Sequence, residues 1–328
     1  MPVVMPFRRA IVAMLGLAAV AVPPASNAQA FPVKPMRGVV ANAPGGVPDT
    51  VLRLLLDKAS PALGQPMVVD NRGGAGGVIA SELVAKSAPD GYTLLITAIG
   101  ALDPVVLARP PYDPIADFAG VAQLADLYGV LISTPSRNFR TLADMEGFGR
   151  ANPGVLNFGS SGAGSFTHLS ALKLAVDGGF SAVHIPVKGA SQAITEVMAG
   201  RLDFYVPGAV AALPLIRQGK VRALAVITDK RSAQLPDVPT LAEASSGRPV
   251  TLLSSGVGLF APKATPRDIV ARLNREMVRA GSNPETREKL EALGAVPSAL
   301  TPEQLDEVVK STSAQLRSLV KTAGLKPE

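Results

Sequence analysis

The sequence has 328 residues, 47% of them hydrophobic and 4% aromatic, with a formal net charge of +6 and no cysteine. The missing thiols exclude disulfides, a lipoprotein anchor, thiol catalysis and thiolate metal sites. Basic and acidic residues are interspersed and aromatic residues are few, which argues against a nucleic-acid partner because platforms for stacking bases are poorly supplied.

The N-terminus has the pattern of a secretory signal peptide. Arg8 and Arg9 precede an uncharged apolar run over residues 10–22, and Ala28-Gln29-Ala30 supplies the small residues of a cleavage site. The run is shorter than the ~20 residues that a membrane-spanning helix needs. We therefore predict that residues 1–30 are removed on export. The mature chain, from about Phe31, is long enough to favour two domains.

The first part of the mature chain alternates strands and helices. Residues 39–41 predict a strand, and the next helix has Leu52, Leu55, Leu56, Ala59 and Leu63 on one face. Asp49 stands where the N-cap of this helix is expected. Further strands are predicted at residues 67–69 and 93–97, with a helix through Ile79, Leu83 and Val84 between them.

The same alternation continues to the C-terminus. Thr141 and Asp144 predict a capping box at the start of a helix that ends near Asn152. Other helices are predicted after Ser165, at residues 190–199, before Gly219, and at residues 266–280, 284–293 and 301–323. The remaining strands are predicted at residues 130–132, 156–158, 183–185, 202–206, 223–227 and 257–260. This order predicts an α/β fold with largely parallel sheets covered on both faces.

Three loops rich in glycine, serine or proline each join a predicted strand to a predicted helix. Ligands of open α/β sheets bind at the carboxyl ends of strands, and free N–H groups at helix N-termini favour anions. The alternative is that these are ordinary strand–helix turns, which every such fold contains. The candidate ligand-binding residues are Pro44, Gly45, Gly46, Val47 and Asp49 in the first loop, Ser160, Ser161, Gly162, Ala163, Gly164, Ser165 and Thr167 in the second, and Pro207 and Gly208 in the third.

Known catalytic patterns do not fit these loops. Residues 159–163 (GSSGA) resemble a nucleophile elbow but end in alanine, and no dinucleotide fingerprint or P-loop lysine is present. The only histidines are His168, too close in sequence to Ser161 for the usual triad order, and His184, inside a predicted strand. We predict no catalytic residue, no metal site and no cofactor. The alternative is a secreted α/β enzyme acting on a carboxylated substrate, with Asp49 or His168 as its base.

Many of these segments, taken in order, resemble the substrate-binding receptors of tripartite tricarboxylate transporters, the Bug family. The resemblance extends through nearly the whole mature chain. It rests on residues 43–49 (APGGVPD), 69–77 (VDNRGGAGG), 88–95 (APDGYTLL), 111–118 (PYDPIADF), 151–158 (ANPGVLNF), 159–162 (GSSG) with His168-Leu169, 186–189 (PVKG), 219–226 (GKVRALAV), 235–240 (LPDVPT) and 269–274 (IVARLN).

The resemblance implies a two-lobed type II periplasmic binding-protein fold with hinge strands and a ligand cleft. One lobe would contain residues 31–125 and 251–328, and the other residues 126–250. Such receptors bind dicarboxylates, tricarboxylates, acidic amino acids or aromatic acids through backbone amides and hydroxyls in the first two loops. The implied chain is a periplasmic monomer that serves a membrane permease. A sensor without its own permease is an alternative.

The chain departs from the family pattern at three places. Val187 replaces an expected tyrosine, Pro207-Gly208 replaces an Asp-Asn pair, and Gly256 replaces an aromatic residue. These changes imply a larger or less polar pocket. The first two loops contain no Arg or Lys, although Arg72 and Lys188 lie in neighbouring turns. We therefore expect a carboxylate site that does not require a cationic side chain.

Overall fold

The computed structural model describes residues 1, 31–105, 107–160, 162, 165–187, 189–228, 230–246, 248, 256–322 and 324. The predicted signal peptide, residues 2–30 in particular, lies outside the described residues. No helix within the described segments is long and apolar enough to cross a membrane.

The described residues form eleven strands and ten α-helices. In chain order the strands are β1 (Met36–Val40), β2 (Met67–Asn71), β3 (Thr93–Ala98), β4 (Phe118–Leu127), β5 (Gly129–Ser133), β6 (Leu156–Ser160), β7 (Ala182–Pro186), β8 (Phe204–Tyr205), β9 (Arg222–Ile227), β10 (Val257–Pro262) and β11 (Ala295–Pro297). The helices are α1 (Val47–Leu63), α2 (Val78–Ala85), α3 (Leu142–Ala151), α4 (Phe166–Gly178), α5 (Ala190–Met198), α6 (Ala209–Arg217), α7 (Leu241–Ala244), α8 (Arg267–Ser282), α9 (Pro284–Ala292) and α10 (Pro302–Thr322).

The first sheet has six strands in the order β11-β4-β10-β3-β1-β2. Side chains alternate between its faces, as the two-residue period of a strand requires. Val40 and Ile96 pack with α1 and α8 on one face, whereas Val39 and Leu95 pack with α2 and α10 on the other. The predicted apolar face of α1 is confirmed, since Leu52, Leu55, Ala59 and Leu63 are buried there and Leu56 is partly buried against the same core.

The second sheet has five strands in the order β7-β6-β8-β5-β9. Phe158 and Phe204 face a core shared with α3 and α4, and Val130 and Tyr205 face a core shared with α5 and α6. The predicted capping box at Thr141 and Asp144 is present at the start of α3. Each sheet therefore has helices on both faces, and each face packs into a core of its own.

The prediction of largely parallel sheets is wrong, because both sheets are mixed. Strands β1, β2 and β3 are parallel and so are β6, β7 and β8, but β10 is antiparallel to β3 and β4, and β5 is antiparallel to β8 and β9. The reason is the path of the chain. Strand β4 leaves the first sheet at the edge where β1 to β3 end. Strand β5 then enters the second sheet at the edge where β6, β7 and β8 end, so it must run antiparallel to them.

Three elements of the structure were not predicted from the sequence: β4, the short helix α7 and the edge strand β11. The predicted strand at residues 202–206 is shorter than expected, since only Phe204–Tyr205 form β8. Strand β4 is buried along most of its length without a regular alternation. Its sequence therefore carries neither the two-residue nor the helical period.

Candidate ligand-binding site

The two sheets adjoin at the point where the chain passes from β4 to β5, with only Tyr128 between these strands. In the first sheet Val257 lies opposite Ala98 and Ala125, so the strand ends of β1 to β4 share one edge. In the second sheet Gly129, at the start of β5, lies opposite Ile227 and bridges to Gly208. The carboxyl ends of β6 to β9 therefore share the edge beside Tyr128. All three predicted loops emerge at these two adjoining edges.

The first loop, residues 42–46, is braced by the carboxylate of Asp49, which is 3% exposed. Its Oδ2 accepts the Gly45 N–H at 2.9 Å, and its Oδ1 accepts Arg53 Nε at 3.0 Å and Asn71 Nδ2 at 3.1 Å. The prediction that Asp49 is the N-cap is wrong. Gly46 is the N-cap, and Asp49 lies inside the first turn of α1, from which its side chain reaches back to the loop.

The electrostatics of Asp49 follow from these contacts. Burial alone would raise the pKa of the carboxyl, but hydrogen bonds from Arg53, Gly45 and Asn71 outweigh it and hold the pKa below its ordinary value. The carboxylate is therefore ionised and already engaged by three donors. This arrangement suits a residue that shapes the loop, and it does not suit a catalytic base poised to take a proton.

The second loop is held by hydroxyl groups. Ser165 is the N-cap of α4, where its side chain accepts the His168 N–H at 3.2 Å and lies 3.0 Å from the Thr167 hydroxyl. Ser165 Oγ also donates to the Gly162 carbonyl at 2.7 Å. Ser160, fully buried at the end of β6, accepts the Gly162 N–H at 3.1 Å. Three other candidates in this loop, Ser161, Ala163 and Gly164, lie outside the described residues.

Both histidines contact the second loop: His184 lies beside Ser160, and His168 is in the first turn of α4, beside Ser165. The rings of His168 and His184 stack with centroids 3.9 Å apart, and Phe158 stacks against His184 at 5.1 Å. Burial, followed by the neighbouring His184 ring, lowers the pKa of His168 to about 4, and burial lowers the pKa of His184. His184 Nε2 lies 2.6 Å from Ser160 Oγ. The sequence analysis did not predict the contact between His184 and Ser160. The sequence pattern that pointed to it was the alternation along β7, which puts the His184 side chain on the more buried face of the strand.

The third loop is engaged with the crossing between the sheets. Val130 N–H donates to the Pro207 carbonyl at 3.0 Å, and Ala209 N–H donates to the Tyr128 carbonyl at 2.9 Å. Gly208 is the N-cap of α6. Pro207 and Gly208 are therefore placed at the shared edge, as predicted, but their backbone groups tie α6 to the crossing strand.

A contrast in helix capping distinguishes the adjoining edges from the rest of the described chain. The N-caps of α1, α2, α5 and α6 are glycines, which have no side chain to accept the first amides, whereas α4 and α7 have the side-chain caps Ser165 and Thr240 there. Away from these edges, α3 and α9 have Thr and Asn caps, and α10 is capped by Thr301. The exception is α8, which follows Pro266. Uncapped N–H groups carry partial positive charge and favour an anion.

The arginines beside these loops are occupied by acidic partners. Arg53 pairs with Asp49, and Arg72 Nε lies 3.0 Å from Asp70 Oδ1. Lys188 lies outside the described residues. The described residues of the first two loops include no Arg or Lys, so backbone amides are the main donors that these loops can offer to an anion.

The departures at positions 187 and 256 have structural consequences. Val187 N–H donates to the Ser160 carbonyl at 2.9 Å, so its backbone helps to hold the second loop. A Cβ at Gly256 would lie 2.7 Å from Gln123 Nε2 and 3.1 Å from Ile99 Cδ1. A side chain at position 256 would have to displace the end of the Gln123 side chain.

Two mixed α/β sheets, joined by a crossing strand and facing each other with their strand ends, define a two-lobed solute-binding protein. The solved structure of the periplasmic binding protein BugD shares this fold, with a TM-score of 0.78 and 30% sequence identity over 91% of this chain and 100% of that chain. The two-lobed type II fold predicted from the sequence is confirmed.

The family assignment follows from sequence comparison. Residues 51–325 match the family described as tripartite tricarboxylate transporter family receptor, and the chain belongs to this family. Rpa4515 of R. palustris with adipate has a TM-score of 0.80 and 33% identity, over 91% of this chain and all of that chain. MatC (Rpa3494) of Rhodopseudomonas palustris with bound malate has a TM-score of 0.77 and 33% identity, over 88% and 100%. The members of this family are periplasmic receptors, and these neighbours are binding proteins.

Proposed function

We propose that this chain is an exported receptor that binds a small carboxylate between its two lobes and delivers it to a membrane permease. The observation that carries the proposal is the set of glycine-capped helices whose N-termini converge on the adjoining edges. Their amides offer donors to an anion from both sheets. Adipate and malate in the related structures support a ligand with carboxylate groups.

We place the ligand between residues 44–49 and residues 160–167, with Ser161, Ala163 and Gly164 included in the second group. The support is that both loops precede long helices and emerge at edges that adjoin at Tyr128. The receptor needs no Arg or Lys in contact with the carboxylate, because backbone amides at helix N-termini bind anions by themselves. Pro207 and Gly208 would close one end of this site beside the crossing strand.

We propose the lobe boundaries that the sequence suggested: residues 31–125 with 251–328, and residues 126–250. The division of strands between two sheets supports them, with the first crossing at Tyr128. The lobes also meet away from the crossing, where Leu169 of α4 packs against Leu316 and Leu319 of α10. Movement about the crossing strands would close the lobes on the ligand.

We propose binding without catalysis, cofactor or metal, by a monomer. Neither base suggested by the enzyme alternative is poised for chemistry: three donors engage Asp49, and His168 is 4% exposed within a ring stack. Ser160 is fully buried and its oxygen is shared with Gly162. These contacts support a receptor over an enzyme.

A thermal-shift screen of carboxylates, followed by calorimetry, tests the proposal. Adipate, malate and aromatic acids are the first probes, and a ligand present at 100 times its Kd should stabilise the fold by about 2.7 kcal/mol. Gly46→Val should reduce affinity at least about tenfold, or 1.4 kcal/mol. Its Cβ would lie 3.1 Å from the Ala43 carbonyl oxygen and so distort the loop.

Gly147→Val is the matched control, because a Cβ there has nothing within 4 Å and the site is on α3. Equal affinities in the wild type and in both variants would show that the first loop does not bind the ligand. The absence of stabilisation by any carboxylate would show that the proposed function is wrong.

A further inference from the structure

The Ser160 hydroxyl has two possible acceptors and one donor within hydrogen-bond distance, but only one proton to donate. Its Oγ lies 2.6 Å from His184 Nε2, 3.0 Å from the Gly162 carbonyl and 3.1 Å from the Gly162 amide. The Gly162 amide can only donate, so Ser160 accepts there. The Gly162 carbonyl already accepts from the Ser165 hydroxyl at 2.7 Å and the Ser165 amide at 3.2 Å. The Ser160 proton is therefore best directed to His184 Nε2, which is also its nearest neighbour.

The His184 ring is held firmly enough to serve as that acceptor. It stacks on the rings of Phe158, at 5.1 Å and 24°, and His168, at 3.9 Å and 17°, and these two rings also stack on each other at 6.0 Å. Its strand β7 is fixed to β6 by parallel pairing that places His184 beside Phe158. Because both stacking partners are buried, the imidazole has little freedom to rotate away from Ser160.

The turn that Ser160 supports leads directly into α4. Gly162 has a φ of +129°, which residues with a side chain rarely adopt. Because glycine has no Cβ to restrict its backbone, hydrogen bonds must fix the orientation of its peptide groups. Ser160 holds the amide of Gly162, and Ser165 holds its carbonyl. Loss of the His184 contact would leave the Ser160 proton to compete with Ser165 for that carbonyl.

We infer that His184 is a positioning residue for ligand binding, which acts through Ser160 to fix the turn before α4. The inference rests on the proposed carboxylate site and adds a residue that does not itself touch the ligand. By fixing the orientation of the turn, the Ser160–His184 pair allows the turn and the N-terminus of α4 to bind the same anion.

A double-mutant cycle on the full mature chain tests this, with adipate and malate as probes in calorimetry. His184→Phe keeps the ring stack but removes the acceptor, and Ser160→Ala removes the donor. His184→Phe should weaken binding about tenfold, because a hydrogen-bonded group is left without its partner, and Ser160→Ala should weaken it at least as much, because it also removes the acceptor of the Gly162 amide. If the two act as one unit, the double variant should bind like Ser160→Ala, whereas independent effects would add about a further tenfold loss.

Two further variants separate positioning from general packing. His184→Gln, whose amide oxygen can occupy the place of Nε2, should recover most of the affinity although it cannot stack as an imidazole does. Ile185→Ala, on the exposed side of the same strand, is the matched control and should bind like the wild type. Nitrogen NMR should report an unprotonated His184 Nε2 in the wild type, with a changed shift in Ser160→Ala.

The outcomes distinguish this inference from the proposed function. Additive losses, no loss in His184→Phe, or a protonated Nε2 at neutral pH would overturn the role of His184 while carboxylate binding stands. Failure of the wild type to bind either probe would count against the carboxylate site itself, and the role of His184 would fall with it.

Discussion

Asp49→Asn removes one negative charge from the first loop without changing the size of the side chain. In the wild type, Gly45 N–H, Arg53 Nε and Asn71 Nδ2 donate to the carboxylate at 2.9, 3.0 and 3.1 Å. An asparagine has one acceptor oxygen, and its NH2 group must face at least one of these donors. Each hydrogen bond to a charged group contributes roughly 1.5–3 kcal/mol. We expect the free energy of unfolding to fall by about 3 kcal/mol.

Urea denaturation of the ligand-free protein at pH 7 measures this loss. Asp57→Asn is the matched control, because Asp57 is an exposed carboxylate on the same helix, and it should change stability by less than about 0.5 kcal/mol. Since the pKa of Asp49 is lowered from 3.8 in the fold, its stabilisation is complete above that pH and is lost as pH falls further. The difference between Asp49→Asn and the wild type should therefore shrink in acid.

The same variant reports on the ligand site. The loop that Asp49 holds supplies amides to the proposed carboxylate site, so affinity should fall together with stability. An Asp49→Asn protein as stable as the Asp57→Asn control would refute the reasoning, because it would mean that the three donors are equally well satisfied by water.

Two further predictions concern acid stability and export. The pKa of His168, about 4 in the fold against an ordinary 6.5, means that the unfolded chain binds the extra proton between these pH values. Stability should be complete above pH 6.5 and fall by up to about 3 kcal/mol towards pH 4; thermal unfolding of His168→Phe should show a flatter pH profile, and an unchanged profile would contradict the assignment. Mass spectrometry of protein recovered from the periplasm should find a chain that begins near Phe31, whereas an intact chain from Met1 would show that no signal peptide is removed.

The order of most helices and strands, and the family, could be predicted from the sequence, although β4, α7 and β11 were not. Apolar residues at helical spacing determine α1, and the Thr141–Asp144 pair determines the start of α3, because both patterns depend only on neighbours within one or two turns. The glycine-rich loops could be recognised for the same reason. A glycine at the N-cap has no side chain to accept the first amides of a helix, and this holds whatever the tertiary structure around the loop.

The tertiary structure decided what the local pattern could not. Asp49 has the sequence position of an N-cap, but the hydrogen bond from Asn71, the last residue of the neighbouring strand β2, helps to make it a brace for the loop. His184 and Ser160 are 24 residues apart, and only the parallel register of β6 and β7 brings them within 2.6 Å. Strand pairing is fixed by packing between residues that are distant in sequence. The sequence shows which face of each strand is apolar but does not show which strands pair with each other.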